Sequence, residues 1–134
     1  MGFLPAVYAG FSRWKNYSGR ACRSEYWYFI LFTVIWISLV LFIYGAVAAI
    51  SEGFAILLYF VGYLSIFVPS IALIVRRLHD LNITGWGIVI SFVPVLGGLI
   101  LLVAMCWPGT AGANSYGPPT FPGNTGEKGS PKAL

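Results

Sequence analysis

The sequence predicts an all-α integral membrane protein with three transmembrane helices, an N-terminal amphipathic interfacial helix and a disordered C-terminal tail. Hydrophobic residues make up 58% of the chain and charged residues only 9%, whereas soluble domains carry about a quarter charged residues. Three apolar runs, 26–50, 54–75 and 86–107, contain no charged residue. Each run reaches the ~20 residues that cross ~30 Å of hydrocarbon as a helix.

Residues 1–24 form the predicted amphipathic segment. Leu4, Val7 and Phe11 recur at helical spacing, while Arg13 falls on another part of the helical wheel. We expect this helix to lie in the membrane interface, and a short cytoplasmic helix packed on the loops is the alternative. The positive residues come late and no short apolar core leads to a cleavage site, which argues against a signal peptide.

Proline and small residues occur within the three predicted spans and indicate kinks and helix contacts. Pro69 in the second span and Pro94 in the third each remove a backbone donor and are expected to kink the helix. Gly45, Gly62 and Gly87 each precede another small residue by three or four positions, which favours close approach of two helices. Packing within one chain is the simpler interpretation of these faces, and a dimer contact is the alternative.

The lengths of the connections predict the topology. Only residues 51–53 join the first two spans, so these spans must form an antiparallel hairpin. With three spans, the N-terminal segment and the loop 76–85 share one face of the membrane and the tail lies on the other. The first face collects the bases Arg13, Lys15, Arg20, Arg23, Arg76 and Arg77. The positive-inside rule then places the N-terminus in the cytoplasm and the C-terminus, with Lys128 and Lys132, in the periplasm.

The chain changes character at residue 108. Residues 108–134 are rich in glycine and proline and offer little to bury, so loop or disorder is expected. Cys22 and Cys106 would lie on opposite sides of the bilayer, roughly 30 Å apart, which is too far for a disulfide. One histidine and two separated cysteines give no zinc-like spacing, so neither a metal site nor a cofactor is predicted.

Charged residues that border the spans are predicted to meet at the cytoplasmic edge. Glu25 would be costly there without a partner, and Arg76 and Arg77 are the nearest bases in the predicted topology. Asp80 also has bases within reach, namely Arg20, Arg23 and Arg76. The hypothesis is a polar collar that fixes the helices or contacts anionic lipid headgroups, and independent solvated charges are the alternative. The collar comprises Arg20, Arg23, Glu25, Arg76, Arg77, His79 and Asp80.

The loop before the third run and the flanking tryptophans have simpler interpretations. His79 suggests general base catalysis, but no serine or cysteine nucleophile motif accompanies it, so a hydrogen-bonded structural role is favoured. Asn82 or Thr84 is expected to cap the third helix. The predicted interfacial anchors are Trp27 and Trp86 on one side of the membrane and Trp107 on the other.

Three spaced segments combine into a specific pattern. They are Gly19-Arg20 with Arg23, Glu25, Tyr26 and Trp27, then Arg76-Arg77-Leu78-His79-Asp80 with Gly85-Trp86, and finally Asn114, Tyr116 and Gly117. From about residue 10 to residue 120 the chain resembles the YhaH-like inner-membrane proteins of domain-of-unknown-function family 805. The resemblance implies a multi-pass protein of the bacterial inner membrane and brings no known activity. It also implies that the third segment forms a specific turn at the membrane surface.

The sequence therefore favours a protein that is not an enzyme and acts by association with membrane lipids, with itself as a homo-oligomer or with a larger membrane complex. An oligomeric transporter or channel subunit built around Pro69 and Pro94 is the alternative, although no charged residue lies at mid-membrane to relay ions. A lipid-headgroup enzyme with His79 as base is the third possibility. Nucleic acid is not expected as a partner, because the bases cluster beside apolar runs instead of forming a broad surface.

Overall fold

The computed structural model describes residues 1–120, which are helical over most of their length. In chain order the elements are α1 (Phe3–Ser12), α2 (Arg23–Ala48), α3 (Glu52–Asp80), a 3-10 helix (Gly85–Phe92) and α4 (Leu96–Cys106). The rest of the predicted tail, with Lys128 and Lys132, lies outside the described residues.

The chain divides into two compact units. The apolar unit consists of Met1–Asn16 and Ser24–Leu73, so it contains α1, nearly all of α2 and most of α3. Among the described residues, the polar unit consists of Tyr17–Arg23 and of the chain from Ile74 to Thr120. The division within α3 falls just before the charged end of that helix, and its apolar and charged parts therefore belong to different units.

Two helices, α2 and α3, are long and apolar enough to cross a membrane. With 26 and 29 residues they exceed the ~20 residues that a span requires. None of the most apolar stretch of α2 is buried, as expected for side chains that face lipid. α3 runs through Pro69 without ending and continues past the predicted end at residue 75 to Asp80. The all-helical fold expected from the sequence is therefore present, with the first two apolar runs each forming one helix.

Two glycines allow close packing inside the apolar unit. A Cβ on Gly62 would lie 2.7 Å from Val40 Cγ2, so α2 and α3 approach closely at the position where a small residue was predicted to permit it. Trp36 strengthens this contact, because its Nε1 donates to the Gly62 carbonyl at 3.0 Å. In α1, a Cβ on Gly10 would overlap the ring of Phe29. Gly45, by contrast, faces open space, and the contact predicted there is not made within the described residues.

The first helix, α1, has one face of small buried residues and another face of large exposed apolar residues. α1 buries its small residues Ala6, Ala9 and Gly10 and exposes large apolar ones, with Leu4 76% and Tyr8 75% accessible. Small residues let the backbone of a helix approach its neighbour, while exposed large apolar side chains suit an interfacial environment. The helix predicted within residues 1–24 is thus present, and its location in the membrane interface stays a prediction.

The third predicted span is not one helix. Its residues form the eight-residue 3-10 helix and the eleven-residue α4, separated by a break at residues 93–95. Pro94 lacks a backbone donor, and Val95 has φ 62° and ψ −59° while the Leu96 N–H donates to the Pro94 carbonyl at 2.7 Å. This is a γ-turn of positive φ, a rare and strained reversal. Each limb is about 16 Å long, roughly half of the ~30 Å hydrocarbon core.

The two limbs pack against each other through Gly97. A Cβ at this position would overlap the Ile90 carbonyl group and would lie 3.2 Å from the Ser91 Cα. Only glycine permits such an approach of one backbone to another. The 3-10 helix and α4 therefore form a tight helical hairpin.

Both ends of this hairpin lie beside the end of α3. At its start, a Cβ on Gly85 would lie 2.7 Å from Val75 Cγ1 and 3.3 Å from His79 Nε2. At its end, the Trp107 carbonyl accepts a hydrogen bond from Arg77. The apolar run therefore leaves α3 and returns to it, so the predicted separation of Trp107 from that end of α3 is wrong. The physical reason is the reversal at residues 93–95, which a hydropathy pattern does not reveal.

Candidate functional site at the end of α3

Asp80, the last residue of α3, is bound between two arginines. Arg20 donates through Nε to Asp80 Oδ1 at 2.8 Å, and its Nη2 is also 2.8 Å from that oxygen. Arg77, one turn earlier in α3, donates to Oδ2. Asp80 and Arg20 are each 6% exposed, and Arg77 is fully buried. Because each carboxylate oxygen takes its own arginine, the buried charges are matched in geometry as well as in sign.

The same two arginines also bind the backbone that follows α4. Together they donate to the carbonyl oxygens of Met105, Trp107, Thr110 and Gly112. The two bonds from Arg20 are both 2.6 Å long. A guanidinium carries five donors in a planar fork, so one side chain can bind a carboxylate and several carbonyls at once. The arginines thus fix residues 105–112 against the end of α3.

The end of α3 is closed by an asparagine in the left-handed conformation. Asn82 has φ 60°, its N–H donates to the His79 carbonyl at 3.0 Å, and the Ile83 N–H donates to the Leu78 carbonyl at 2.9 Å. This pattern is a Schellman motif, which satisfies carbonyls that a helix end leaves without partners. Asn82 therefore ends α3, whereas the sequence suggested that it caps the next helix. Thr84, the other suggested cap, makes no side-chain capping bond.

Thr110 and Gly109 complete this end of the helix. The N–H and the Oγ1 of Thr110 both donate to the Asp80 carbonyl, at 2.8 and 2.9 Å. Gly109 lies so close that a Cβ there would overlap the Asp80 carboxylate. Sequence reasoning missed both residues, because their types do not distinguish them within a stretch rich in glycine and proline. Residues 108–120 are loop, as expected, but hydrogen bonds hold this loop in place, so the disorder predicted for this part is wrong.

The segment from Asn114 to Gly117 forms a turn, and the location at the membrane surface that the resemblance implies for it stays a prediction. Asn114 and Gly117 exchange two backbone hydrogen bonds of 3.1 Å, Gly117 has φ 122°, and the Tyr116 N–H donates to Asn114 Oδ1 at 2.9 Å. Asn114 Nδ2 then donates to the His79 carbonyl at 2.8 Å. The Tyr116 ring stacks on the His79 ring with centroids 3.9 Å apart. The turn therefore lies on the last residues of α3.

The remaining collar residues do not all join this cluster. Arg76 is buried, and its carbonyl accepts from the Ala21 N–H at 3.0 Å. Arg23 is exposed at the start of α2. Glu25 is fully buried in the first turn of α2, and its predicted pairing with Arg76 or Arg77 stays a prediction. The three predicted anchors are exposed to different degrees: Trp27 38%, Trp86 80% and Trp107 64%.

A groove of about 490 Å³ lies beside His79 in the polar unit. Its lining is made by Tyr17, Val75, His79, Thr84, Gly85, Trp86 and Ile88. His79 Nδ1 lies 3.2 Å from the Gly19 carbonyl oxygen, and Gly85 keeps the space beside its Nε2 open. Tyr17 was not among the predicted site residues, because an aromatic residue between two charged segments carries no distinctive spacing.

No centre for redox or metal chemistry emerges in the part of the chain that is described. Within residues 1–120 no three His, Cys, Asp or Glu side chains lie close enough to hold a metal ion. Cys22 and Cys106 are free thiols. The three-span topology places Cys22 and Cys106 on opposite sides of the bilayer, whereas α4 returns the chain next to the end of α3, where Trp107 is bound by Arg77.

Comparison with known proteins agrees with the helical membrane architecture. The model of the family described as protein of unknown function DUF805 matches residues 14–118. The chain is 40% identical over 106 residues to the Escherichia coli K12 inner membrane protein YhaI, covering 77% of this chain and 86% of that relative. It is 39% identical over 110 residues to the K12 inner membrane protein YhaH, covering 78% of this chain and 88% of that relative. No solved structure matches the chain. The matched residues include both the predicted motifs and the contacts at the end of α3, and the chain belongs to the DUF805 family of bacterial inner-membrane proteins, whose function is unknown.

Proposed function

We propose that this protein acts without catalysis, by associating with membrane lipids through the exposed rim of its polar unit. The observation that carries the proposal is a contrast within that unit. Arg20 and Arg77 are buried and bind the buried Asp80 and the backbone, whereas three aromatic side chains of the unit are exposed: Tyr17 45%, Trp86 80% and Trp107 64%. Exposed tyrosine and tryptophan are typical of side chains that sit among lipid headgroups.

The proposal assigns Arg20 and Arg77 a structural role in place of direct headgroup binding. An arginine that contacts a lipid phosphate needs free donors at the surface. Arg77 is 0% exposed and Arg20 6% exposed, and both donate to Asp80 and to backbone carbonyls. The arginines therefore hold the loop and the hairpin in position, and the aromatic rim makes the association.

We also propose that α2 and α3 cross the membrane while the hairpin of the 3-10 helix and α4 enters and leaves on one face. The contacts of Gly85 and Trp107 with the end of α3 support this topology. Non-helical backbone within a bilayer requires cover by protein, and the contact at Gly97 provides part of it. In this topology residues 108–117 stay on the same face as the N-terminal segment. The three-span topology, with the tail on the opposite face, is the alternative.

Charge distribution supports a cytoplasmic location for the polar unit. Every base among the described residues belongs to the segments before α2 or to the end of α3, apart from Arg23 in the first turn of α2. The connection between α2 and α3, residues 49–51, contains no base, and Glu52 begins α3. The positive-inside rule places the basic face in the cytoplasm, so the polar unit is the cytoplasmic end and the connection at Ser51 is periplasmic.

Thiol labelling tests the topology. In a background of Cys22→Ser and Cys106→Ser, single cysteines replace Lys15, Ser51 or Ser115, all of which are exposed. A membrane-impermeant maleimide applied to intact spheroplasts is expected to label the Ser51→Cys variant alone. Lysis is expected to make the Lys15→Cys and Ser115→Cys variants reactive together. Labelling of Ser115→Cys before lysis, with Lys15→Cys protected, restores the three-span topology.

Native mass spectrometry tests the association with lipid. Gently extracted protein is expected to retain phospholipid, and a Trp86→Leu, Trp107→Leu variant is expected to retain several-fold less, because interfacial aromatic contacts are lost. Trp14→Leu is the matched control, since Trp14 is 44% exposed but lies in the apolar unit. Wild-type protein without bound lipid, or equal retention by all three proteins, contradicts the proposal.

A further inference from the structure

We propose that the groove lined by Tyr17, His79 and Trp86 binds the primary ammonium headgroup of a zwitterionic aminophospholipid. The inference rests on the proposed function, because it names the headgroup class for the lipid association. It also differs from the anionic headgroups that the sequence suggested as partners of the arginines.

Among residues 1–120, no arginine or lysine side chain lines the groove to bind a phosphate. Its lining consists of Tyr17, Val75, His79, Thr84, Gly85, Trp86 and Ile88. Arg20 and Arg77, two buried cations of this unit, donate to Asp80 and to the backbone of residues 105–112. Anionic groups are recognised mainly by arginine, lysine or clustered N–H donors. A groove without charged side chains therefore selects poorly for an anionic lipid.

His79 presents an acceptor in the groove. Its Nδ1 lies 3.2 Å from the Gly19 carbonyl oxygen, and a carbonyl can only accept, so Nδ1 carries the proton. In the neutral ring the other nitrogen, Nε2, then has a lone pair and accepts hydrogen bonds. Stacking on Tyr116, with ring planes 3° apart, fixes the direction in which Nε2 points. Gly85 faces this nitrogen, and a Cβ there would lie 3.3 Å from it.

Aromatic side chains favour a cationic donor over a neutral hydroxyl. Trp86 is 80% exposed and Tyr17 45% exposed, and both line the groove. The face of a tryptophan or tyrosine ring attracts an ammonium group through its quadrupole. A primary ammonium can donate to His79 Nε2 while its charge lies against these rings. A glycerol hydroxyl can make the hydrogen bond but gains nothing from the rings.

The surroundings of the groove fit a molecule with an apolar tail. Val75 and Ile88 give part of its lining an apolar surface. The 3-10 helix that supplies Trp86 and Ile88 also exposes Val89 by 49% and Phe92 by 82%. An acyl chain can therefore continue along this helix from a headgroup held at His79, as burial of apolar surface favours.

The experiment compares three defined lipids on the full-length protein by native mass spectrometry. Phosphatidylethanolamine carries a primary ammonium, phosphatidylcholine carries a cation without N–H donors, and phosphatidylglycerol carries hydroxyls and a net negative charge. Phosphatidylethanolamine is expected to be retained about tenfold better than phosphatidylcholine, because both cations can contact the rings but only the primary ammonium can donate a hydrogen bond to His79 Nε2. Preference for phosphatidylglycerol, or equal retention of all three lipids, overturns the inference and leaves the proposed lipid association in place.

Two variants locate the preference in the groove. Gly85→Ala places a methyl group 2.7 Å from Val75 Cγ1 and 3.3 Å from His79 Nε2, whereas Gly98→Ala, in α4, meets open space. Gly85→Ala, beside the acceptor nitrogen, is expected to reduce the preference for phosphatidylethanolamine over phosphatidylcholine at least threefold. Trp86→Leu is expected to reduce the preference for phosphatidylethanolamine over phosphatidylglycerol at least threefold, and Gly98→Ala is expected to keep both preferences. Trp86 is largely exposed, so its replacement does not depend on repacking. A preference unchanged in Trp86→Leu and Gly85→Ala places the headgroup elsewhere and overturns the inference.

Discussion

The apolar and polar units are held together by different kinds of contact. In the apolar unit the contacts are mainly packing contacts beside the Trp36–Gly62 hydrogen bond: Val40 packs on Gly62, and Phe11 lies edge-on to Phe29 with ring centroids 5.7 Å apart. In the polar unit two arginines reach past their carboxylate partner to the backbone of residues 105–112. Packing of apolar groups dominates in the apolar unit, and hydrogen bonds from side chains to the main chain dominate in the polar unit.

The difference between the two units follows from whether the backbone N–H and C=O groups bind each other within a helix or need other partners. α2 and α3 satisfy their own N–H and C=O groups, so side-chain packing is sufficient to join them. The chain from Trp107 to Gly117 contains no regular element, and its carbonyls need donors from elsewhere. Arginine supplies up to five donors from one side chain. Arg20 and Arg77 thus stabilise the irregular backbone that follows the hairpin. From composition alone, these arginines would be interpreted as membrane anchors.

The largest expected loss of stability comes from removing the negative charge of Asp80, which Arg20 and Arg77 both bind. Asp80→Asn keeps the shape of the side chain but leaves Arg20 and Arg77 buried without their counter-charge. Breaking a buried pair in this way costs about 3–5 kcal/mol. We expect the free energy of unfolding in detergent micelles to fall by this amount, as measured by denaturant titration.

The control for this variant is an acidic residue of the same helix. Glu52→Gln changes an exposed carboxylate in the first turn of α3, and exposed charges contribute roughly 0–1 kcal/mol. If Asp80→Asn is no more damaging than Glu52→Gln, the polar unit is not held by its charges and the comparison between the units fails.

A smaller loss of stability is expected when the positive charge of Arg20 is kept but its planar guanidinium group is replaced by an ammonium group. Arg20→Lys retains a cation for Asp80 but cannot also bind the Thr110 and Gly112 carbonyls, which lie 2.6 Å from separate Nη atoms. Lysine is a point charge on a flexible stem and does not reproduce this geometry. We expect the amides of residues 108–117 to exchange hydrogen about 10- to 100-fold faster, corresponding to hydrogen bonds worth roughly 1.5–3 kcal/mol.

Hydrogen exchange also separates this effect from general destabilisation. Helical amides of the apolar unit are expected to keep their protection in Arg20→Lys. Arg13→Lys, an exposed position of the apolar unit, is expected to leave both regions unchanged. Equal acceleration in α2 and in residues 108–117 would mean that Arg20 supports the whole fold and not the loop.

The sequence predicted the apolar unit well for a physical reason. Long runs of apolar residues predict helices α2 and α3. The small residue Gly62 on a helix face predicts the close contact of these two helices. These features are local in the chain. Gly45 shows the limit of the argument, since it has the same local pattern and faces open space.

The polar unit was predicted in its residues but not in its arrangement. Arg20, Asp80 and His79 were singled out because charged and titratable residues are rare in this chain. Their contacts with residues 105–117 could not be predicted, since they depend on the reversal at residues 93–95. A γ-turn at Val95 has no hydropathy signature, because valine and proline are as apolar as a spanning helix requires. The backbone conformation at residues 93–95 therefore distinguishes the hairpin from one continuous third helix.

The smallest expected effect tests the packing of the apolar unit. In Gly62→Ala the new Cβ would lie 2.7 Å from Val40 Cγ2, so Val40 must shift, and overpacking of this kind costs about 1–3 kcal/mol. Gly45→Ala adds the same methyl group to α2 in open space, where alanine favours the helix by up to about 1 kcal/mol. Denaturant titration in micelles is expected to show Gly62→Ala less stable than wild type and Gly45→Ala equal or more stable. Since both variants add the same methyl group, equal stability would mean that helix propensity, and not the fit of α2 against α3, governs the apolar unit.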